Sequence, residues 1–138
     1  MALPRVLTAT SYGLALLVAF GLGTAVGQQS PPKDNKGLAV EKTVTLDLGG
    51  EIEGMQGRQL RLRVLNLEPG GVIGLHSHKD RPAVSYLLQG TLTEHRDGSA
   101  TNEHHKGETV SAGKDTTHSE ENKGTTPVVL IGADILKP

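Results

Sequence analysis

Beyond residue 30 the chain is a succession of short runs in which apolar and polar residues alternate, most of them ended by glycine-bearing turns. That period of two is the signature of strands with one face buried. Val40, Val44, Leu46 and Leu48 share one face of the first run, with Thr43, Thr45 and Asp47 on the other, and Gly49-Gly50 closes it. From Gln59 to Leu67, Leu60, Leu62 and Val64 alternate with Arg61 and Arg63. The leucines are expected to meet the core and the arginines to meet water, as a solvated face or charged edge rather than an anion site. A slip in parity at Leu65 predicts a bulge or a change of sheet. Glu68-Pro-Gly-Gly71 predicts a turn before the next strand. Ala83, Ser85 and Leu87 share one face of a later run and Val84, Tyr86 and Leu88 the other, where Tyr86 is expected to pack in a core. Thr91 to His105 reads as a hairpin about Asp97-Gly98, and Val110 to Ala112, Thr117 to Glu121 and Val128 to Ile135 supply closing strands. No segment after residue 30 has a helical period, so the pattern predicts an all-β sandwich or barrel.

One of these runs carries chemistry. In Gly70-Gly-Val-Ile-Gly-Leu-His76-Ser-His78, two histidines one residue apart project from the same face of a strand, while Ser77 points away. Imidazole is the commonest protein ligand for divalent transition metals, and two from one strand form a rigid half-site. A third histidine in a similar setting follows in Gly107-Glu-Thr-Val-Ser-Ala-Gly-Lys-Asp-Thr-Thr-His118-Ser-Glu-Glu-Asn122.

The two segments together resemble the cupin superfamily. Its first motif runs glycine, five residues, His-x-His, three or four residues, glutamate, six residues, glycine; Gly70, His76, His78 and Gly90 fit that spacing. Its second runs glycine, five residues, Pro-x-Gly, two residues, histidine, three residues, asparagine; Gly107, His118 and Asn122 fit. The resemblance implies a small antiparallel β-barrel, a double-stranded β-helix of the jelly-roll kind, over residues 38–138. It also implies a divalent metal held by His76, His78 and His118, with iron, zinc, manganese, copper and nickel not distinguished. The family's glutamate ligand falls on Ala83, which binds nothing, and Gly113 and Asp115 stand where the second motif has proline and glycine. Some thiol dioxygenases of the superfamily are similar in using three histidines without the glutamate, so the loss does not exclude catalysis.

Around this triad the sequence offers further candidates. Glu120, two residues beyond His118, shares its face in a regular strand and is the best local substitute for the missing carboxylate, as ligand or base. A solvent-exposed glutamate is the favoured reading of that position. Arg81 is a candidate contact for an anionic substrate, although Asp80 and Arg81 also suit a plain turn before Pro82. Ser85, on the face of Ala83, is expected to border the cavity. His95, His104 and His105 are read as surface residues of the hairpin, and Asn122 as a turn or supporting residue.

The N-terminus is unlike the rest. Arg5 precedes an apolar run from Leu14 to Val26, the order of a secretory leader over residues 1–27 that directs the protein to the periplasm or medium, with an uncleaved anchor as the lesser alternative. Residues 28–37, polar and proline-bearing, read as a flexible linker. After the leader the chain carries 13 basic and 15 acidic residues, a net charge of −2, and Tyr86 as its one aromatic. Neither a basic stripe nor stacking platforms are present, which excludes nucleic acid, and nothing points to a membrane beyond the leader. With no cysteine there are no disulfides. The expected partners are a small-molecule ligand or substrate and a second copy as homodimer. The leading expectation is metal-dependent chemistry on a small molecule, with dioxygenase-like oxidation ahead of hydrolysis or isomerisation. The competing class is a non-catalytic cupin that binds a small ligand or partner with weak or no metal.

Overall fold

A computed structural model describes residues 31–96 and 101–138. The expected leader and the Asp97-Gly98 turn lie outside the described residues. Eight strands and no helix make up the described chain: β1 (Lys36–Asp47), β2 (Gln59–Ser77), β3 (Ala83–Gln89), β4 (Thr91–Arg96), β5 (Thr101–His105), β6 (Thr109–Ala112), β7 (Thr117–Glu121) and β8 (Val128–Leu136). They form one sheet in the order β5-β4-β7-β2-β8-β3-β6, with β1 added against β2. The pairings are antiparallel, and the sheet curls into a nearly closed barrel.

The strand that organises the barrel is β2. Its first half pairs with β8 and β1, and its second half with β7. Glu68-Pro-Gly-Gly71 was expected as a turn between two strands; it is a bend within one long strand, made where Gly70 takes a φ of 71°. There the strand changes partner, from β8 to β7, and so carries His76 across to the wall that holds His118.

The irregularity expected at Leu65 is found on one side only: the ladder between β2 and β1 shifts register where Val40 and Lys42 face Leu65 and Val64, while the ladder between β2 and β8 runs unshifted from Gln59 opposite Leu136 to Leu67 opposite Val128. What changes along the strand is the chemistry of the inner face. Arg61 and Arg63 point inward, followed on the same face by Leu65 and Leu67, which are buried in the core with Ile73, Leu87, Leu92, Val110, Val128 and Leu130. Leu60 and Leu62 face solvent instead. The sequence-based orientation of this strand is therefore inverted. Arginines can occupy the interior because Asp134, from the paired strand, meets them there.

The same inversion holds on β3, while β1 leaves both faces exposed. Val40, Val44 and Leu46 are exposed and only Leu48, just past β1, is buried. Tyr86, expected in a core, is exposed beside Val84 and Leu88. Among the described residues, nothing covers that outer face.

The segment before β1 also joins the structure. Leu75 N–H donates to the Pro32 carbonyl at 2.7 Å, and Gly74 N–H to the Asn35 side-chain oxygen at 2.9 Å. A Cβ at position 74 would lie 2.3 Å from the Lys33 carbonyl oxygen, so glycine there is what lets the two backbones approach. From Pro32 onward, this part of the stretch read as a linker lies against β2.

Candidate metal centre

His76 on β2 and His118 on β7 are directly opposite one another in the antiparallel ladder. Side chains of such a pair project from the same face of the sheet. His78 sits one residue past the end of β2, where its backbone N–H still donates to the Thr116 carbonyl at 2.9 Å. The three rings converge, with Nε2 to Nε2 separations of 3.1 Å between His76 and His78, 3.0 Å between His78 and His118, and 3.1 Å between His118 and His76.

The other nitrogen of each ring is committed. Nδ1 of His76 lies 2.8 Å from the Gly74 carbonyl, Nδ1 of His78 lies 3.0 Å from the Arg81 carbonyl, and Nδ1 of His118 lies 2.6 Å from Glu94 Oε1. Carbonyls and carboxylates accept only, so each Nδ1 carries the proton and donates it. Each neutral ring is left with its Nε2 lone pair aimed inward. Burial keeps His76 neutral, lowering it to about 4, and lowers His78 in the same sense. Three lone pairs facing one another at this distance repel unless a cation lies between them.

The dimensions suit one. If its N–M–N angles are right angles, an ion bound to three nitrogens so spaced lies about 2.2 Å from each; at tetrahedral angles it lies only about 1.9 Å away, inside the usual zinc–imidazole distance of about 2.0–2.1 Å. His76, His78 and His118 would hold such an ion as three neutral ligands. Among the described residues these three histidines are the one group of potential ligands close enough to hold an ion together.

Glu94 was not singled out from the sequence, yet it supports the triad. It is fully buried on β4, where Oε1 accepts from His118 Nδ1 and from Arg96 Nε at 2.8 Å, and Oε2 accepts from His104 Nε2 at 3.0 Å. Burial alone would raise its pKa, but the hydrogen bonds from His118, His104 and Arg96 hold it at about 2. His104, read as a plain surface residue, is half-buried in this network. The signal in the sequence was parity: Glu94 lies on the same strand face as Leu92, a core residue.

The triad opens into a cavity of about 320 Å³ whose lining includes Arg63, Arg81, Ala83, Ser85, Glu120 and Asp134. Ser85 borders it, as expected, and Ala83 stands on its wall. Glu120, favoured as solvent-exposed, is buried here, because it pairs with Glu94 across the ladder between β4 and β7. Its desolvation raises its pKa above the ordinary carboxylate range. It does not belong to the close-set ligand group. Asn122 is buried as well, its side-chain nitrogen donating to the Leu67 and Thr126 carbonyls at 2.9 Å each, which fixes the turn after β7.

The same cavity holds a charged cluster built on Asp134, which was not singled out from the sequence. Asp134 is buried and accepts a bidentate pair from Arg61, at 3.0 and 2.6 Å, while Arg63 and Arg81 each stand 3.4 Å from its Oδ2. Burial would raise the Asp134 pKa, but the Arg61 hydrogen bonds and the three positive charges together lower it. Arg61 consumes most of the acceptor capacity. Arg63 is left with its Nε buried and unpartnered, and desolvation and the neighbouring Arg61 lower its pKa. Three arginines against one aspartate leave this wall of the cavity positive.

A family model described as the cupin domain matches residues 63–133, more than half of the chain. No curated protein matches. Among solved structures, the chain is similar to a protein with a double-stranded β-helix domain from Klebsiella pneumoniae, at 18% identity and a TM-score of 0.53, covering 56% of this chain and 68% of that one. It is similar to a predicted oxalate decarboxylase from Thermotoga maritima, at 20% identity and a TM-score of 0.51, covering 71% of this chain and 98% of that one. It is also similar to a recombinant oxalate oxidase in complex with glycolate, at 21% identity and a TM-score of 0.52, covering 71% of this chain but only 50% of the other. At such identities the likeness is one of fold.

Proposed function

The chain belongs to the cupin family, and on that footing we propose that it holds a divalent metal through His76, His78 and His118 and acts on a small anionic molecule. The observation that carries this reading is the convergence of three Nε2 lone pairs at 3.0–3.1 Å while every Nδ1 proton is tied to an acceptor. A metal bound there with open positions would supply Lewis acidity and, if redox-active, reaction with oxygen. Oxidation is the leading chemistry, ahead of hydrolysis or isomerisation. The family's carboxylate position is Ala83, so no ligand charge from that position competes with an anionic substrate.

The chain's own groups divide the remaining work. Arg63 and Arg81 hold the negative end of the substrate, since both line the cavity and neither is saturated by Asp134. A carboxylate is the natural partner, because a guanidinium matches its two oxygens. The similar oxalate oxidase, crystallised with glycolate, offers an example of a small carboxylate ligand. Ser85 borders the bound molecule, and Glu120 supplies a carboxylate from the cavity wall, as base or further ligand. None of the three histidines serves as base, because each lone pair is given to the metal. The leader over residues 1–27 makes this a reaction of the periplasm or medium.

Anaerobic reconstitution with iron(II), manganese(II), zinc, copper or nickel, followed by oxygen uptake and product analysis over a panel of small carboxylates, tests the reading. Turnover that requires both metal and carboxylate, and that Arg63→Leu weakens through KM, is expected. Metal and carboxylate binding with no turnover of any panel member would make the protein a binding module instead. An inability to bind any of the five ions would remove the metal-dependent reading and favour a binding module that needs no metal.

A further inference from the structure

We propose that the segment over residues 32–35 is a strap that locks a β-bulge in β2, and that this bulge is what turns His76 into the triad, making Asn35 and Gly74 positioning residues of the metal centre. The consequence for metal affinity rests on the function proposed above, whereas the bulge and its lock belong to the chain without metal.

Parity along β2 requires the bulge. On a regular strand, residues share a face when they are an even number of positions apart. Ile73 and His76 are an odd number apart, yet Ile73 belongs to the core and His76 faces inward to meet His78 and His118. The ladder between β2 and β7 shows where the parity changes. Ile73 lies opposite Glu120 and His76 opposite His118, so Gly74 and Leu75 together face Ser119 alone. Two residues against one is the count of a β-bulge, a device that re-aims a side chain. In an unshifted ladder Leu75 would stand opposite His118, and His76 would turn to the other face. The triad would lose a ligand.

The strap is what holds the extra residue. Gly74 and Leu75 have no partner in the ladder with β7. Their amides are taken up on the other side of the strand, Gly74 N–H by the Asn35 side-chain oxygen at 2.9 Å and Leu75 N–H by the Pro32 carbonyl at 2.7 Å. Gly74 is buried, so without that acceptor its amide would be an unpaired donor away from water. The Gly74 carbonyl in turn accepts from Nδ1 of His76 at 2.8 Å. The bulge therefore aims the ring and also fixes which of its nitrogens carries the proton.

Two glycines admit the strap to this position. Gly37, at a φ of 60°, carries the chain through the register shift between Lys36 and Leu38 and close past Gly71, so that the residues before it run beside the second half of β2. Gly74 lacks the Cβ that would run into the Lys33 carbonyl. The strap reaches the site itself, since Lys33 and Asn35 line the same cavity as the histidines.

Histidine-selective NMR of the full chain without metal, followed by zinc titration against a chelator of known affinity, tests the proposal. The unaltered protein should show contacts between the ring protons of His76 and His118 and slow exchange of the Gly74 and Leu75 amides. Asn35→Ala removes an acceptor carried by an exposed residue. It should speed exchange at Gly74, weaken the His76–His118 contacts and lower zinc affinity about 10-fold. Asn35→Asp keeps an acceptor and should restore all three. Gly74→Ala, which drives the strap off, should lower affinity by about 100-fold. In each variant the contacts between His78 and His118 should persist, as should the circular dichroism. If Gly74→Ala fails to fold, the two Asn35 variants decide. Ring contacts and zinc affinity that Asn35→Ala leaves unchanged overturn the proposal, as does an Asn35→Asp no better than Asn35→Ala. Ring contacts that depend on Asn35 in a chain that takes up no metal would uphold the lock and remove the metal reading. Tight zinc binding indifferent to Asn35 would do the reverse.

Discussion

The two faces of β2 and β8 are built from the same alternating segments and end in opposite environments. Outward, Leu60, Leu62, Ala133 and Ile135 make an apolar surface; inward, Arg63 and Asp134 make a charged wall of the cavity, with Arg61 paired to Asp134 beside it. Alternation tells which residues share a face, because the period of a strand is two. It does not tell which face is inside. That is decided by whether buried charges find partners, and here Asp134 gives the inward arginines one. The inversion also allows a positive wall in the cavity that the histidine triad lines, and leaves the apolar face outward.

The largest effect should come from removing that counter-charge. Asp134→Ala leaves three arginines around an empty position, and loss of one member of a buried ionic group costs about 3–5 kcal/mol. Urea unfolding should register it. Asp134→Asn keeps the shape and isolates the charge. Because the folded-state pKa of Asp134 is depressed below the ordinary value of 3.8, its contribution is fully present above that value and is lost as pH falls through the depressed one. The unaltered protein should therefore lose more stability than the asparagine variant on acidification below about pH 4; parallel profiles would mean that the cluster holds no net ionic stabilisation.

Glu94→Gln is the next in size. The amide can still accept from one neighbour, but it no longer carries the charge that orients His118 and steadies the site. Metal affinity should fall about 10- to 100-fold while the fold persists, as for other groups that hold a ligating histidine. Competition against a chelator of known affinity measures this directly.

On the outer face the effect should be smallest. Leu62→Ser should change stability by only about 1 kcal/mol, since the residue is 41% exposed and lies outside the core. The reverse ordering, with Leu62 costing more than Asp134, would break the comparison between the faces.

Much of the architecture was legible in the sequence because strand periodicity and turn glycines are local signals. The spacing of His76, His78 and His118 was legible because a cross-strand pair and an i, i+2 pair are written directly in a strand register. Glu94 and Asp134 were less so. Each lies on the strand face of core residues, Leu92 and Leu130 respectively, and a charge in that position signals burial with a partner. The partner itself comes from a strand far along the chain, Arg61 for Asp134 and His118 for Glu94. The exposure of Tyr86 was illegible for the same reason, since only the assembled sheet shows which face the described residues leave open.

The central claim is that three inward lone pairs exist to hold an ion. The most direct measurement is the metal content of the protein purified without chelator or a histidine tag, by elemental mass spectrometry, beside His118→Ala. Near one equivalent of a divalent transition metal per chain, lost in the variant while its circular dichroism is unchanged, is the expected result. A folded protein that takes up no ion even after reconstitution, or a variant that retains it, would contradict the account.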